Sequence, residues 1–173
     1  IGEKTYIAYG VDIADLVKIN AFVYIPTMVS IGRGAMISAH VTFTNDRYPR
    51  AATPDLAALR PSEPDDATLA TRVGPGATIG AAAVIGPGIE LGAFSMVGMG
   101  SVVTRSVAPY TLVAGNPARV VAAVCRCGPP VVRADDGRLP DVELARCEDC
   151  GRAYSVRDGA VADARTLARP DHG

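Results

Sequence analysis

The 173-residue chain contains no Trp, and Phe and Tyr together supply only 5% of it. No uninterrupted apolar stretch approaches the roughly 20 residues that a helix needs to span a bilayer, so no membrane span is predicted. No signal-peptide pattern is visible either. The net charge of −1 gives no electrostatic basis for binding nucleic acid or an anionic membrane. The length predicts one main domain, with room for a small appendage.

What the sequence does contain is a hydrophobic period of six. Four places after each apolar residue of the period lies a small or branched side chain, and glycine often follows the apolar residue, as in Ile79-Gly80. This period fits neither an amphipathic helix nor an alternating strand. It predicts an all-β fold, a parallel β-helix in which three hexads close one triangular coil and coils stack at about 4.8 Å. The period consists of Ile1, Ile7, Ile13, Ile19, Ile25, Ile31, Ile37 and Phe43, then Val73, Ile79, Ile85, Leu91, Val97 and Val103.

The period lapses over residues 44–72, where four prolines and several acidic residues interrupt it. Because the phase of the hexads is kept across the gap, we expect a β-helix domain of residues 1–116 to extrude this segment as a loop. Ordered loops of this length are usually functional. The alternative for Asn45-Asp46 is a plain turn, since both side chains cap their own backbone well.

Three further segments follow the β-helix. Asn116 suits a helix N-cap and Pro117 the first helical position, so a short capping helix is predicted over 117–124. A cysteine-containing module is expected over 125–164. The remaining residues, 165–173, have the composition of a disordered tail.

The start of the segment that interrupts the period also resembles a known family. The string Thr44-Asn45-Asp46-Arg47-Tyr48-Pro49-Arg50-Ala51, with the hexads and Val113-Ala114-Gly115-Asn116-Pro117-Ala118-Arg119, resembles the hexapeptide-repeat nucleotide-sugar 3-N-acetyltransferases. The resemblance covers nearly all of residues 1–124. Late in the lapse, where the family often carries Trp and a charged run, this chain is rich in Pro and Asp, which leaves the acceptor open.

The resemblance implies a fold, an activity and an assembly. The coils would be left-handed, although parallel crossovers in general are right-handed in about 98% of cases. The activity would be acetyl transfer from acetyl-CoA to the 3-amino group of a UDP- or dTDP-linked amino sugar. The chain would form a homotrimer with sites between subunits, in the cytoplasm, without nucleic-acid or membrane partners.

Acetyl transfer to an amine requires a neutral nucleophile, correct placement and donors for the oxyanion. By the resemblance, Asn45 would hold the amine, and Asp46 would stabilise developing charge or position Asn45. Tyr48 and Arg50 are candidates for sugar and phosphate contacts, because a guanidinium binds phosphate oxygens bidentately. His40 is either a general base or a solvated surface histidine.

A coenzyme A groove is implied at the end of the prism. Backbone groups of the coils from Gly80 to Ser101 would contact the pantetheine arm, and Arg119 could meet the phosphates. The predicted cofactor-binding residues are Gly98, Ser101, Gly115, Asn116, Pro117 and Arg119.

All four cysteines lie beyond the repeat. A Cys-x-Cys pair, nineteen intervening residues and a Cys-x-x-Cys pair, each pair followed by glycine, predict a zinc-ribbon-like site with Cys125, Cys127, Cys147 and Cys150 as ligands. A closed set of four thiolates is typical of a structural metal, not a catalytic one. The alternative is two disulfides, which are disfavoured in the cytosol, where acetyl-CoA and nucleotide sugars occur.

Three rival functions remain for comparison. An O-acetyltransferase on the same fold would rely on a histidine base such as His40. A non-enzymatic β-helix scaffold would use the cysteine module to bind a partner. A γ-type carbonic anhydrase is rejected because it needs three zinc-binding histidines, and the chain has only His40 and His172.

Overall fold

The fold was analysed in a computed structural model that describes residues 1–164; the predicted tail, 165–173, lies outside the described residues. The described part of the chain is built from strands and turns, without a helix, and so holds no helix able to cross a membrane. Two-residue and three-residue strands pair in parallel with strands one coil later. Tyr6 lies opposite Tyr24 and Ile7 opposite Ile25, so one coil takes eighteen residues.

Three faces, named A, B and C here, make the triangular prism. Face A consists of β1 (Tyr6–Ile7), β4 (Tyr24–Ile25), β7 (Thr42–Phe43), β10 (Val84–Ile85) and β13 (Val102–Val103). Face B consists of β2 (Asp12–Ile13), β5 (Val29–Ile31), β8 (Thr71–Val73) and β11 (Glu90–Leu91). Face C begins with β3 (Lys18–Ile19), β6 (Met36–Ile37), β9 (Thr78–Ile79), β12 (Met96–Val97) and β14 (Thr111–Gly115).

The period of six has the predicted structural meaning. From Ile19 onward, the apolar residue that opens each hexad is buried inside the prism, and Ile25, Ile37, Ile79 and Ile85 are fully inaccessible. The residues four places later, small as in Ala35 and Ala77 or branched as in Val41 and Ile89, are also buried and pack between the coils. The parallel β-helix predicted from the hexads is therefore confirmed.

The fourth position of every hexad except those that begin at Phe43 and Val103 turns the corner in the left-handed backbone region. Phe22, His40 and Ala82 have φ of 61°, 60° and 58° at successive turns of the C/A corner, and Gly100 follows with 66°. Side chains at one corner stand in a column because the coils are in register. The rings of Phe22 and His40 accordingly stack at a centroid distance of 4.9 Å.

The segment that interrupts the repeat leaves the A/B corner after β7 and returns at β8, so that it spans residues 44–70. Its two arms pair in antiparallel fashion: Arg47 N–H donates to Ala67 O, and Leu69 N–H donates to Asn45 O. A second bridge, between Ala52 and Leu59, closes the tip. We call this segment the excursion.

The helix predicted over 117–124 is wrong. Residues Ala118–Val124 form strand β15, which pairs with β14 in a hairpin closed by the Gly115–Ala118 pair, with Asn116 and Pro117 at its tip. Two causes favour the strand: Val120, Val121 and Val124 are β-branched, and the edge of face C offers hydrogen-bond partners for an added strand. Asn116 and Pro117 thus serve a turn, not a helix start.

The cysteine-containing module continues from this hairpin. Strand β16 (Pro130–Arg133) pairs with β15 and extends face C, whereas β17 (Val142–Arg146), β18 (Ala153–Arg157) and β19 (Ala160–Ala164) form a separate antiparallel sheet. This C-terminal sheet pairs with no strand of the prism among the described residues. Its position must therefore depend on side-chain contacts.

Candidate functional site

The excursion folds back over face A and encloses a cleft of about 430 Å³. The outward-facing side chains of β1 and β4 and the returning arm of the excursion form its walls. Its lining includes Tyr6, Tyr24, Thr27, Asn45, Asp46, Arg50, Arg60 and Thr68. Three of the predicted acceptor-site residues, Asn45, Asp46 and Arg50, are thus brought together. Tyr48, on the same arm, is exposed and does not line the cleft.

Asn45 is held in one orientation at the base of the excursion. Its side chain is partly buried, and Nδ2 donates to the carbonyl oxygen of Thr27 at 3.4 Å. Its main-chain oxygen accepts from Leu69 N–H at 2.7 Å. Because Nδ2 is the amide atom that contacts the protein backbone, Oδ1 is the atom that can accept a hydrogen bond from a ligand amine.

Asp46 is joined to the returning arm through Thr68. The Thr68 hydroxyl lies 3.3 Å from Asp46 Oδ1 and also accepts from the backbone N–H of Asp65 at 3.0 Å. The backbone N–H of Ala67 and the guanidinium of Arg60 hold the pKa of the Asp65 carboxyl below its ordinary value. These contacts close the excursion over the cleft and fix the Asp46 carboxylate beside Asn45.

Two arginines line the cleft together with three carboxylates, those of Asp46, Glu63 and Asp65. Arg50 was predicted; its side chain is exposed and hydrogen-bonds the Pro49 carbonyl at 3.1 Å. Arg60 was missed: it pairs with Asp65 at 2.6 Å and donates to the Tyr48 carbonyl at 3.3 Å. The only sequence signal for Arg60 is a single cation in a Pro-rich and Asp-rich arm.

Two tyrosines of face A were also missed. Tyr6 and Tyr24 stack with ring centroids 5.2 Å apart and remain 56% and 46% exposed. They line the cleft opposite the excursion. Their signal was a tyrosine before the apolar residue in two hexads eighteen positions apart, which acquires meaning only when coils are in register.

His40 lies at the other edge of face A. It is an exposed side chain on the C/A corner, whereas Asn45 follows the same strand at the A/B corner, and His40 is not among the residues lining the cleft. Within one chain, the structure does not bring His40 to Asn45.

The residues predicted to contact coenzyme A lie at the C-terminal end of the C/A corner, which also carries His40. Ser101 is buried, and its hydroxyl accepts from Gly115 N–H at 3.2 Å. A Cβ on Gly98 would approach the Ala114 Cβ to 2.9 Å, so glycine permits the close packing of the coil below the hairpin. Asn116, Pro117 and Arg119 are exposed at the hairpin tip. A larger groove, about 800 Å³, runs along face B and is lined by none of the predicted site residues.

The four cysteines converge at the junction of the β15–β16 hairpin and the C-terminal sheet. Their four Sγ atoms all lie within 4.8 Å of one another. Burial alone would raise the pKa of the Cys125 thiol, but hydrogen bonds from the Cys127 backbone, Tyr154 and neighbouring thiols lower it to about 6. Hydrogen bonds with Cys125 and Cys150 raise the pKa of Cys127. The cluster thus favours a thiolate, the form that binds metal.

The chain is similar in structure to known acetyltransferases. No family model matches the chain. A maltose O-acetyltransferase from Clostridium difficile 630 is similar in structure, with a TM-score of 0.57, 22% identity, and 72% of this chain and 69% of the other covered. A hexapeptide-repeat acetyltransferase from Vibrio cholerae gives a TM-score of 0.56 at 23% identity, with 72% and 73% covered.

One curated relative is similar in sequence. It is the dTDP-3-amino-3,6-dideoxy-α-D-galactopyranose 3-N-acetyltransferase of Aneurinibacillus thermoaerophilus, which is 35% identical over 92 residues. The matched part is 53% of this chain and 44% of the relative, so the chain spans less than half of the relative's length.

The described chain therefore has the fold of the hexapeptide-repeat acetyltransferases. Within that class, the resemblance predicted from the sequence is confirmed, since the curated relative is a nucleotide-sugar 3-N-acetyltransferase.

Proposed function

We propose that the protein is an acetyl-CoA-dependent N-acetyltransferase that acts on the 3-amino group of a UDP- or dTDP-linked amino sugar. The observation that carries the proposal is the cleft beside Asn45, in which an oriented amide, three carboxylates and two arginines meet on a hexapeptide prism. The sequence similarity to a 3-N-acetyltransferase supports the choice of acceptor class.

The groups in the cleft suit the binding of a nucleotide-linked amine. Asn45 Oδ1 would accept one N–H of the amine and so direct its lone pair toward the acetyl carbonyl. A sugar amine is less basic than lysine, so a neutral fraction is present near pH 7 and a strong base is not required. The Asp46 carboxylate would stabilise positive charge as the C–N bond forms and CoA leaves as its thiol. Arg50 and Arg60 would bind the diphosphate.

A left-handed homotrimer with sites between subunits is part of the proposal. The acceptor residues lie at the A/B corner, whereas Gly98, Ser101, Gly115 and the hairpin tip lie at the C/A corner. One chain therefore does not join the acceptor cleft to the expected coenzyme A contacts. A neighbouring prism that presents its C/A corner to this excursion would complete the site, with Tyr48 facing that neighbour.

An O-acetyltransferase is the second candidate, because an exposed imidazole, His40, lies on the corner that carries the expected coenzyme A contacts. We favour the N-acetyltransferase, for which no base is required. We also propose that the enzyme acts in the cytoplasm, where its substrates occur, and that the four cysteines hold a structural Zn²⁺ with no part in acetyl transfer.

Calorimetric titration separates an enzyme from a non-enzymatic scaffold. We expect acetyl-CoA and dTDP to bind the wild-type protein, and Arg60→Ala to weaken dTDP binding about tenfold, because a charge-assisted hydrogen bond contributes about 1.5–3 kcal/mol. Arg105→Ala, at an exposed position on the prism, is the matched control. Absence of binding by both ligands would favour the scaffold.

A further inference from the structure

The C-terminal module contains a second site that acetyl transfer does not use. Four thiols approach one another without covalent bonds: Sγ–Sγ distances are 3.3 Å for Cys125–Cys127, 3.4 Å for Cys125–Cys150, 3.5 Å for Cys127–Cys147 and 3.4 Å for Cys127–Cys150. A disulfide would bring two sulfurs to about 2.05 Å. Four sulfurs at about 2.3 Å from a tetrahedral Zn²⁺ lie about 3.8 Å apart, so the cluster needs only slight expansion to hold that ion.

The backbone around each cysteine pair is shaped for thiolate ligands. Gly128 and Gly151 follow the pairs with φ of 119° and 71°, and their N–H groups donate to the carbonyls of Cys125 and Cys147 at 2.9 Å. Each turn thereby holds the two sulfurs of its pair within 4.8 Å of each other. Backbone contacts of this kind orient metal ligands.

The two cysteine pairs belong to two sheets that exchange no strand pairing and share one small apolar core, made of Ala123, Val132, Leu139 and Val156. Cys125 and Cys127 follow β15, which is hydrogen-bonded to the prism, whereas Cys147 and Cys150 follow β17 in the separate C-terminal sheet. The buried core around the cluster is small and consists of Cys125, Cys147 and Tyr154. An ion bound by both pairs would therefore connect the sheet to the prism.

An aromatic and cationic contact surface surrounds this connection. The Arg126 guanidinium lies 4.2 Å from the centroid of the Phe94 ring, at the B/C corner of the prism, and 3.7 Å from Asp163 of the C-terminal sheet. Phe94 stacks on Tyr110 at 5.6 Å, and Tyr110 contacts Tyr154 at 5.7 Å. The surface thus extends from the prism to the cysteine cluster.

Tyr154 links this surface to the ligands themselves. It is fully buried, its hydroxyl lies 3.2 Å from Cys125 Sγ, and that hydroxyl accepts from Arg126 N–H at 2.9 Å. Arg126 and Arg152 both lie beside Asp163 of the C-terminal sheet, at 3.7 and 3.9 Å, and so add ion pairs to the contacts around the cluster.

We propose that a Zn²⁺ ion bound by Cys125, Cys127, Cys147 and Cys150 fastens the C-terminal sheet to the Phe94–Tyr110 corner of the prism. Binding converts the thiols to zinc-bound thiolates and releases their protons to solvent, with no change of oxidation state. Removal of the ion leaves only the small apolar core around Val156 and the surface contacts to hold the C-terminal sheet, so that the sheet loosens while the hexapeptide prism stays folded on its own core. This proposal does not depend on the acetyltransferase activity.

The first test is metal content combined with hydrogen exchange of the full chain. Mass spectrometry of the protein purified without added metal should give about one Zn²⁺ per chain. After chelation under reducing conditions, peptides within 130–164 should exchange about tenfold faster or more, and those within 71–113 should be unchanged. Added Zn²⁺ should restore the slow exchange.

Substitutions distinguish the role of the cysteine ligands from the role of the residues around them. Cys150→Ser, at an exposed ligand, should abolish stoichiometric zinc and accelerate exchange in the C-terminal sheet; Glu148→Gln, an exposed neighbour in the same turn, should do neither. Arg126→Ala should keep the zinc but raise exchange around Tyr110 and Tyr154. Absence of bound metal, iron in place of zinc, native disulfides, or unchanged exchange after chelation would each overturn the proposal.

Discussion

At the scale of single residues, Asn45 stands apart because the backbone determines which of its amide atoms is free for a ligand. The donor Nδ2 is engaged by Thr27 O, while the main-chain oxygen holds the returning arm through Leu69. Such preorganisation is what a positioning group requires, since the geometry exists before the substrate binds.

Replacing this residue gives the clearest residue-scale prediction. We expect Asn45→Ala to lower kcat about 10²–10³-fold, the cost typical of losing one preorganised polar group, with little change in KM. Steady-state kinetics with acetyl-CoA and the acceptor provide the measurement. Thr104→Ala, at an exposed position of the prism, is the control for surface substitution. A nearly wild-type kcat for Asn45→Ala would remove Asn45 from the mechanism.

His40 allows the two acetyltransferase hypotheses to be separated. Asn can occupy the left-handed backbone of this corner, so His40→Asn removes the imidazole without strain at φ 60°. We expect a rate within about threefold of wild type, because a general base contributes about 10²–10⁴-fold and none is proposed here. Phe22→Leu, which removes only the stacking partner, is the matched control. A loss of about 100-fold, together with a change in the acidic limb of the pH–rate profile, where a general base becomes protonated, would favour the O-acetyltransferase.

At the scale of elements, the coils are in contact through their backbones where glycine follows the apolar residue. A Cβ on Gly74 would lie 2.7 Å from Ala93 N and 2.8 Å from Leu91 O, both on the next coil. Backbone atoms cannot move aside as a flexible side chain can. The spacing of coils at this corner therefore depends on the absence of a side chain.

This contact predicts an unequal effect of two Gly→Ala substitutions. Gly74→Ala should lower the free energy of unfolding by about 3 kcal/mol, at the upper end of overpacking costs. Gly34→Ala should cost about 1 kcal/mol, because its Cβ meets nothing within 4 Å and only the left-handed φ of 69° opposes it. Denaturant titration of both variants gives the comparison. Equal losses would mean that backbone contact between coils does not limit the packing.

The elements also show where sequence reasoning ends. The hexads predicted the coils because a triangular interior requires one apolar residue in every six. This requirement is local to each hexad, and Ile25 and Ile79, which meet it, are fully buried. The helix prediction over 117–124 failed because the partner of β15 is the edge of face C, which no local pattern reveals. Arg60, Tyr6 and Tyr24 were missed for the same reason: the cleft exists only after the excursion folds back onto face A.

At the scale of the whole molecule, the three candidate sites lie at three places on one prism. The proposed acceptor cleft is at the A/B corner, the expected coenzyme A contacts are at the C/A corner, and the cysteine cluster is beside the B/C corner. This separation agrees with a function completed between subunits, and it leaves the C-terminal sheet clear of the cleft. Sedimentation velocity should accordingly give a trimer, and a stable monomer with full activity would contradict the shared site.

The most direct measurement is a thiol-release assay with acetyl-CoA against UDP- and dTDP-linked amino sugars, with 3-amino and 4-amino compounds tested side by side. We expect CoA release only with 3-amino acceptors, accompanied by an acetylated sugar product. Turnover of 4-amino compounds or hydroxyl acceptors alone, or no turnover of any compound by protein that binds acetyl-CoA, would contradict it.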